Sequence, residues 1–197
     1  MIRLDENGIS YTDNIQILDP LGNTLVKYSW VDEEEEYEDE NGNISAGWLD
    51  GKTDELVNDV VLARGSSILL SAKSANVIIT RAGEVSTNDV VISSVSGFNW
   101  VGNAFPVQGC LGKIKLGATA QSYTDNIQIL DTLGNTIAKY SWVDEEEEYE
   151  DENGNISAGW LDGKTDELVN SMALSAGAGL IISTKSANTT ITISPNL

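Results

Sequence analysis

Eight of the nine residues from Asp32 to Glu40 carry carboxylates, with Tyr37 set among them. The run returns letter for letter at Asp144 to Glu152, inside an identical block that spans Val31 to Gly51 and Val143 to Gly163. The two runs hold 16 of the chain's 31 acidic residues. Like charges this close repel one another, and a hard divalent cation bound through oxygen relieves the repulsion. The segment DENGNISAGWLD places oxygens at Asp39, Asn41, Asn43, Ser45 and Asp50, the first, third, fifth, seventh and twelfth positions of an EF-hand count. Its glycine falls fourth instead of sixth, the twelfth residue is Asp instead of Glu, and no helical pattern flanks it, so it is not an EF-hand. A looser Ca²⁺ site would draw on Asp39, Asn41, Asn43 and Asp50, and in the second copy on Asp151, Asn153, Asn155 and Asp162. Two other readings stand beside it. The run is a solvated arm that keeps the chain soluble and blunts a sheet edge, or it meets the Lys and Arg side chains of a basic partner.

Other chemistry finds less to work with. The chain has no histidine, which removes Ser-His-Asp and Cys-His catalysis and the commonest zinc ligand. Paired carboxylates can hydrolyse a glycoside only when a pocket sets their pKa values apart, and a run of exposed glutamates offers no such asymmetry. No nucleophile motif is present, and LGNT at Leu21 to Thr24 lacks the lysine and following helix of a phosphate loop. The chain therefore reads as a non-enzyme. Trp48, Trp100 and Trp160 can be stacking platforms for a glycan or core residues, and a Trp that follows Gly in a strand is more often core. Cys110 stands alone, so no intrachain disulfide forms. The sequons at Asn43 and Asn155 are three-residue matches and carry little weight. A net charge of −20 argues against nucleic acid and anionic membrane surfaces as partners.

The acidic run belongs to a larger repeat. Tyr11 to Asn58 matches Tyr123 to Asn170 at an offset of 112, with differences only at Pro20/Thr132, Leu25/Ile137 and Val26/Ala138. The match continues more loosely, LLSAKSANVIIT at Leu69 to Thr80 facing IISTKSANTTIT at Ile181 to Thr192. Such self-similarity predicts two tandem modules, 1–85 and 86–197. The segment Ser86 to Gly112 occurs once and carries two strand-like runs, Val90 to Ile92 and Phe98 to Val101. Module 1 thus lacks the opening strands that module 2 has. Three explanations are open: one fused core, a module 1 that folds without them, or a chain cut from a longer array. Identity across the block, harmless-looking positions such as Lys27/Lys139 included, fits recent recombination slightly better than a shared partner for both arms.

Short apolar runs rich in Val, Ile and Leu, broken by Gly, Asn and Asp turns, predict an all-β fold. DNIQILD alternates apolar and polar, DPLGN makes a turn, and TLVKYSWV returns, which predicts a hairpin. Its core face is Ile15, Ile17, Val26, Tyr28 and Trp30, mirrored by Ile127, Ile129, Ala138, Tyr140 and Trp142. ISAGWL is a candidate return strand, KTDELVND a loop or single helical turn, and SILLSAK with VIITR a second hairpin around SAN. Short antiparallel strands at this spacing, with little helix, predict sandwich or barrel-like modules. No secretory leader and no membrane span is read in the chain, and a soluble protein is expected.

GFNWVGNAFP at Gly97 to Pro106, followed by DNIQILD, GWLDG and a strand pair ending ITI, resembles the tandem β modules of large secreted or cell-surface bacterial proteins. Ala104 stands where those modules usually carry proline. The resemblance covers most of 97–197 and, truncated, 1–85. It transfers no catalytic residue. It implies an exported location and an architectural or adhesive role, through self-association or binding to other surface proteins. The expectation is a non-enzymatic extracellular structural or assembly module, with Ca²⁺ stabilisation as an option. The alternative is a carbohydrate-binding module that uses exposed aromatics.

Overall fold

The computed structural model of the chain describes residues 2–33, 46–62, 66–73, 77–81, 87–102, 108–147, 149–150, 154–155, 157–176 and 178–195. Among them the protein is all-β, its only helical segments being 3-10 turns. Every register given between paired strands is antiparallel. Two compact units divide the chain. The first comprises Met1–Asp19, Asn23–Ala63 and Ile68–Glu84; the second comprises Pro20–Gly22, Arg64–Ser67 and Val85–Leu197.

The second unit is a two-sheet sandwich. The larger sheet runs in the order β15 (Glu167–Leu168), β14 (Gly159–Asp162), β13 (Thr136–Val143), β12 (Asn126–Leu130), β17 (Gly179–Thr184), β9 (Gly97–Gly102). The smaller runs β11 (Ile114–Leu116), β18 (Thr190–Ile193), β8 (Val90–Ser93), and β10 (Gly109–Cys110) pairs separately with β16 (Ala173–Leu174). Alternation decides which side chains enter the core. Ile127, Ile129, Tyr140, Trp142, Trp160, Leu180 and Ile182 from the large sheet meet Val90, Ile114, Leu116, Ile191 and Ile193 from the small one. Trp160 seals the interface twice. Its ring lies edge-on to Trp142 at 5.2 Å, and its Nε1–H donates to the main-chain carbonyl of Ile114 at 2.8 Å.

The first unit repeats part of this plan. Its larger sheet runs β5 (Glu55–Leu56), β4 (Gly47–Asp50), β3 (Thr24–Val31), β2 (Asn14–Leu18), β6 (Ser67–Ser71), and its smaller sheet is β1 (Ile2–Leu4) with β7 (Ile79–Arg81). Ile15 faces Tyr28 in the β2–β3 hairpin, as Ile127 faces Tyr140 between β12 and β13. Trp48 donates to the Ile2 carbonyl at 2.8 Å and packs on Trp30 at 5.2 Å. The core is smaller, built on Leu4, Ile15, Trp30 and Trp48.

One sequence expectation is corrected. SILLSAK and VIITR are not a hairpin: β6 lies in the large sheet and β7 in the small one, and β17 and β18 divide in the same way. The apolar faces of β17 and β18 cover one core from opposite sides, so the chain between them arches across the sandwich. KTDELVND, expected as a loop or single helical turn, is a turn with Asp54 at φ +60° that leads into the two-residue strand β5. ISAGWL does supply the return strand, over Gly47–Asp50. Gly159 is required there because a Cβ would collide with the Asn170 side chain, whose Oδ1 accepts the Trp160 N–H at 3.0 Å.

Candidate functional sites

Of the candidate cation ligands, Asp39, Asn41, Asn43, Asp151 and Asn153 lie outside the described residues. Asp50 and Asp162 close turns. Each accepts the main-chain N–H two residues on, from Lys52 at 2.9 Å and Lys164 at 2.8 Å. Each also gives its carbonyl oxygen to the N–H of Asp54 or Asp166. Asn155 is exposed. Among the described residues no three carboxylate or cysteine side chains converge as a metal cluster.

What the structure does place is the root of the second acidic arm. Tyr149 packs against Val143, Leu161 and Leu168 on the outer face of the large sheet. Its hydroxyl donates to Asp166 Oδ1 at 3.2 Å and accepts from the Tyr123 hydroxyl at 3.2 Å, the two rings lying edge-on at 6.4 Å. Tyr123 and Asp166 both adopt left-handed backbone, at φ +61° and +60°. Left-handed tyrosine is uncommon, and here the surrounding structure over-determines it. The Tyr123 N–H is held by the Trp142 carbonyl at 2.8 Å, and the Asp166 N–H by that of Asp162 at 2.8 Å. Tyr149 is therefore held in a fixed aromatic seat on the sheet. Tyr37, the counterpart of Tyr149, is outside the described residues.

The polar side chains that are fully buried hold the fold together. The Asp125 carboxylate accepts the N–H of Gln121 at 2.9 Å and of Lys185 at 2.7 Å, which ties the entry to β12 to the exit of β17. Asp13 repeats this with Ile9 and Lys73. Asn99 is fully buried in β9. Its Oδ1 accepts the Val95 N–H at 2.8 Å, and its Nδ2 donates to the carbonyls of Val95 and Ile182 at 2.9 and 3.2 Å. Sequence reasoning passed over all three. The one available signal was that Asp13 and Asp125 each stand 60 positions before the lysine of a KSAN segment.

The aromatic candidates divide. Trp48 and Trp160 belong to the cores, while Trp100 is half-buried, Phe98 beside it is exposed, and Tyr11 and Tyr123 are 52% exposed. Cys110 is half-buried in β10.

The remaining surface feature is an unequal pair of sheet edges. In the second unit β17 is covered by β9, and β18 by β8. In the first unit β6 and β7 end their sheets, with no further strand beside them among the described residues. The consequence shows in burial: Ile191 is fully buried, whereas its counterpart Ile79 is 48% exposed.

Comparison of the chain with protein-family models, with curated proteins and with solved structures gave no match. No helix among the described residues is long and apolar enough to cross a membrane.

Proposed function

We propose that this chain is a non-enzymatic structural module that assembles with other protein at a bacterial cell surface or in an extracellular filament. The observation that carries the reading is the edge of the first unit at which, among the described residues, no further strand lies beside β6 and β7. An uncapped strand presents a row of free main-chain donors and acceptors, and such rows are templates for pairing with another chain. Leu69 and Ile79 add exposed apolar surface to that edge. The buried carboxylates are consistent with it, since Asp13 and Asp125 are committed to main-chain N–H groups instead of a reacting centre. The acidic arms act as solvated charge that keeps an edge-bearing protein from uncontrolled aggregation. Cellular location rests on the resemblance to surface β modules alone. Among the described residues, a glycan-binding role would draw on Trp100, Phe98, Tyr11 and Tyr123, because Trp48 and Trp160 are in the cores.

The test joins sedimentation velocity across a wide concentration range with protease shaving of intact producing cells. The reading expects concentration-dependent assembly and removal of the protein from the outside. A chain that stays monomeric throughout and is protected inside intact cells contradicts it.

A further inference from the structure

Tyr123, Tyr149 and Asp166 form a short relay beside the large sheet of the second unit. The Tyr123 hydroxyl donates to the Tyr149 oxygen and the Tyr149 hydroxyl donates to Asp166 Oδ1, both at 3.2 Å. Both phenolic protons therefore point along the relay. Asp166 is exposed, and the relay engages only one of its two carboxylate oxygens. Tyr123 keeps 52% of its surface in solvent, with its ring edge-on to that of Tyr149 at 6.4 Å. The cluster thus shows aromatic surface and carboxylate oxygen to solvent, an electron-rich corner that accepts hydrogen bonds.

We propose that this corner seats an arginine side chain from a basic segment of the protein with which the chain assembles. This deepens the assembly reading and rests on it. Arginine brings donors and no acceptor, and its planar guanidinium both stacks on an aromatic ring and forks onto a carboxylate. The charge around the corner is complementary to it. Residues 144–146, 150 and 162–167 hold seven carboxylates against one ammonium, that of Lys164. Such a field draws a cationic segment in from a distance and steers its orientation. Exposed ion pairs alone are weak and unselective, so the ring supplies the preference for one kind of cation over another.

The first unit repeats the frame of the seat. Tyr11 and Asp54 hold the same left-handed main chain as Tyr123 and Asp166, at φ +59° and +60°, and Tyr11 is likewise 52% exposed. The Tyr11 N–H is held by the Trp30 carbonyl and the Asp54 N–H by the Asp50 carbonyl, both at 2.8 Å. A left-handed tyrosine is costly to keep, and both units keep it where half of the side chain stands in solvent.

The experiment titrates the full chain with two capped peptides of equal charge, one alternating arginine with glycine and one alternating lysine with glycine, and follows binding by calorimetry at low salt. A citrulline peptide, close to arginine in shape but neutral, is the control for charge. The expected result is saturable binding of the arginine peptide, about twofold to fivefold tighter than the lysine peptide, the worth of roughly one exposed cation–π contact. Tyr11→Asn combined with Tyr123→Asn removes both rings, and asparagine accepts left-handed main chain, so the ratio of the two affinities should fall to about one. Asp54→Asn combined with Asp166→Asn keeps the rings, removes the carboxylate fork and should lower the ratio as well. Absence of saturable binding of the arginine peptide overturns the proposal. So does equal binding of the citrulline peptide, or an arginine-to-lysine ratio that both double variants leave unchanged, which would assign the attraction to acidic charge alone. Either result with concentration-dependent assembly intact removes this inference and leaves the assembly reading standing. Failure of the assembly reading would show instead as a monomer in sedimentation and a protein shielded from protease.

Discussion

Trp160 and Ile114 are 46 positions apart, yet the indole N–H of one meets the main-chain carbonyl of the other at 2.8 Å, joining the two sheets of the second unit through its most buried ring. Trp48 and Ile2 repeat the bond in the first unit. Trp160→Phe keeps most of the ring but leaves the Ile114 carbonyl buried without its donor. It should cost about 1–3 kcal/mol, and Trp160→Ala about 3–5 kcal/mol. Urea unfolding of both variants checks the order. Equal costs would mean that the hydrogen bond contributes nothing beyond packing.

Asp125 should matter as much as a core aromatic. Asp125→Ala strips the acceptor from the Gln121 and Lys185 N–H groups at a fully buried position and should cost about 2–4 kcal/mol. Asp125→Asn keeps one acceptor oxygen and should fall between parent and Ala. Asp13→Ala should weaken the first unit in the same way. Hydrogen exchange of each variant assigns the damage to its unit.

Two groups give the stability a defined pH dependence. Hydrogen bonds from the Asn135 side chain and main chain hold the Asp131 carboxyl below its ordinary 3.8. Its stabilisation is therefore present above pH 3.8 and lost as pH falls through the lower folded value. Asp131→Ala should be less stable than the parent at neutral pH and indistinguishable from it in strong acid. Burial, then the nearby Asp162 charge, pushes the Tyr140 phenol above 10.0. That contribution is full below pH 10 and is lost as pH rises through the folded value. Tyr140→Phe should flatten the alkaline limb of the melting curve, and an unchanged limb would show that this phenol does not carry it.

The net charge of −20 makes salt a lever. Raising NaCl from about 0.01 M to about 0.15 M shortens the screening length from roughly 30 to roughly 8 Å and relieves self-repulsion, so the melting temperature should rise. With the arms as solvated charge, Ca²⁺ and Mg²⁺ at equal concentration should act alike. A rise specific to Ca²⁺, abolished by chelator, would reassign the arms as metal sites by mass action.

Much of the all-β fold could be read in advance, because alternation is a local signal. NIQIL and TLVKYSWV point their apolar residues one way whatever surrounds them, and they form the expected hairpin as β2 and β3. The arch between β6 and β7 could not be read so. Two apolar runs around a short polar turn look the same whether they pair with each other or with strands of opposite sheets, and only the tertiary core decides. Asp13 and Asp125 hid for a related reason. An aspartate before a strand reads as a turn former, and the N–H groups that require it come from 60 residues further on. Asn99 looked like any polar strand residue, although its amide fixes the register of β9. Asp50 and Asp162 each use Oδ1 to hold a turn, a role that oxygen spacing in the sequence does not reveal.

The most direct test of the account compares native-state hydrogen exchange at four strands of the unmodified chain. In β17 and β18 both edges are paired, so amides facing either side should be protected. In β6 and β7 the amides facing β2 and β1 should be protected, and those facing the open edge should exchange at rates near those of exposed loops. That contrast is the predicted result. Equal protection on both sides of β6 and β7 in dilute monomer would contradict it, because the first unit would then already have its cap.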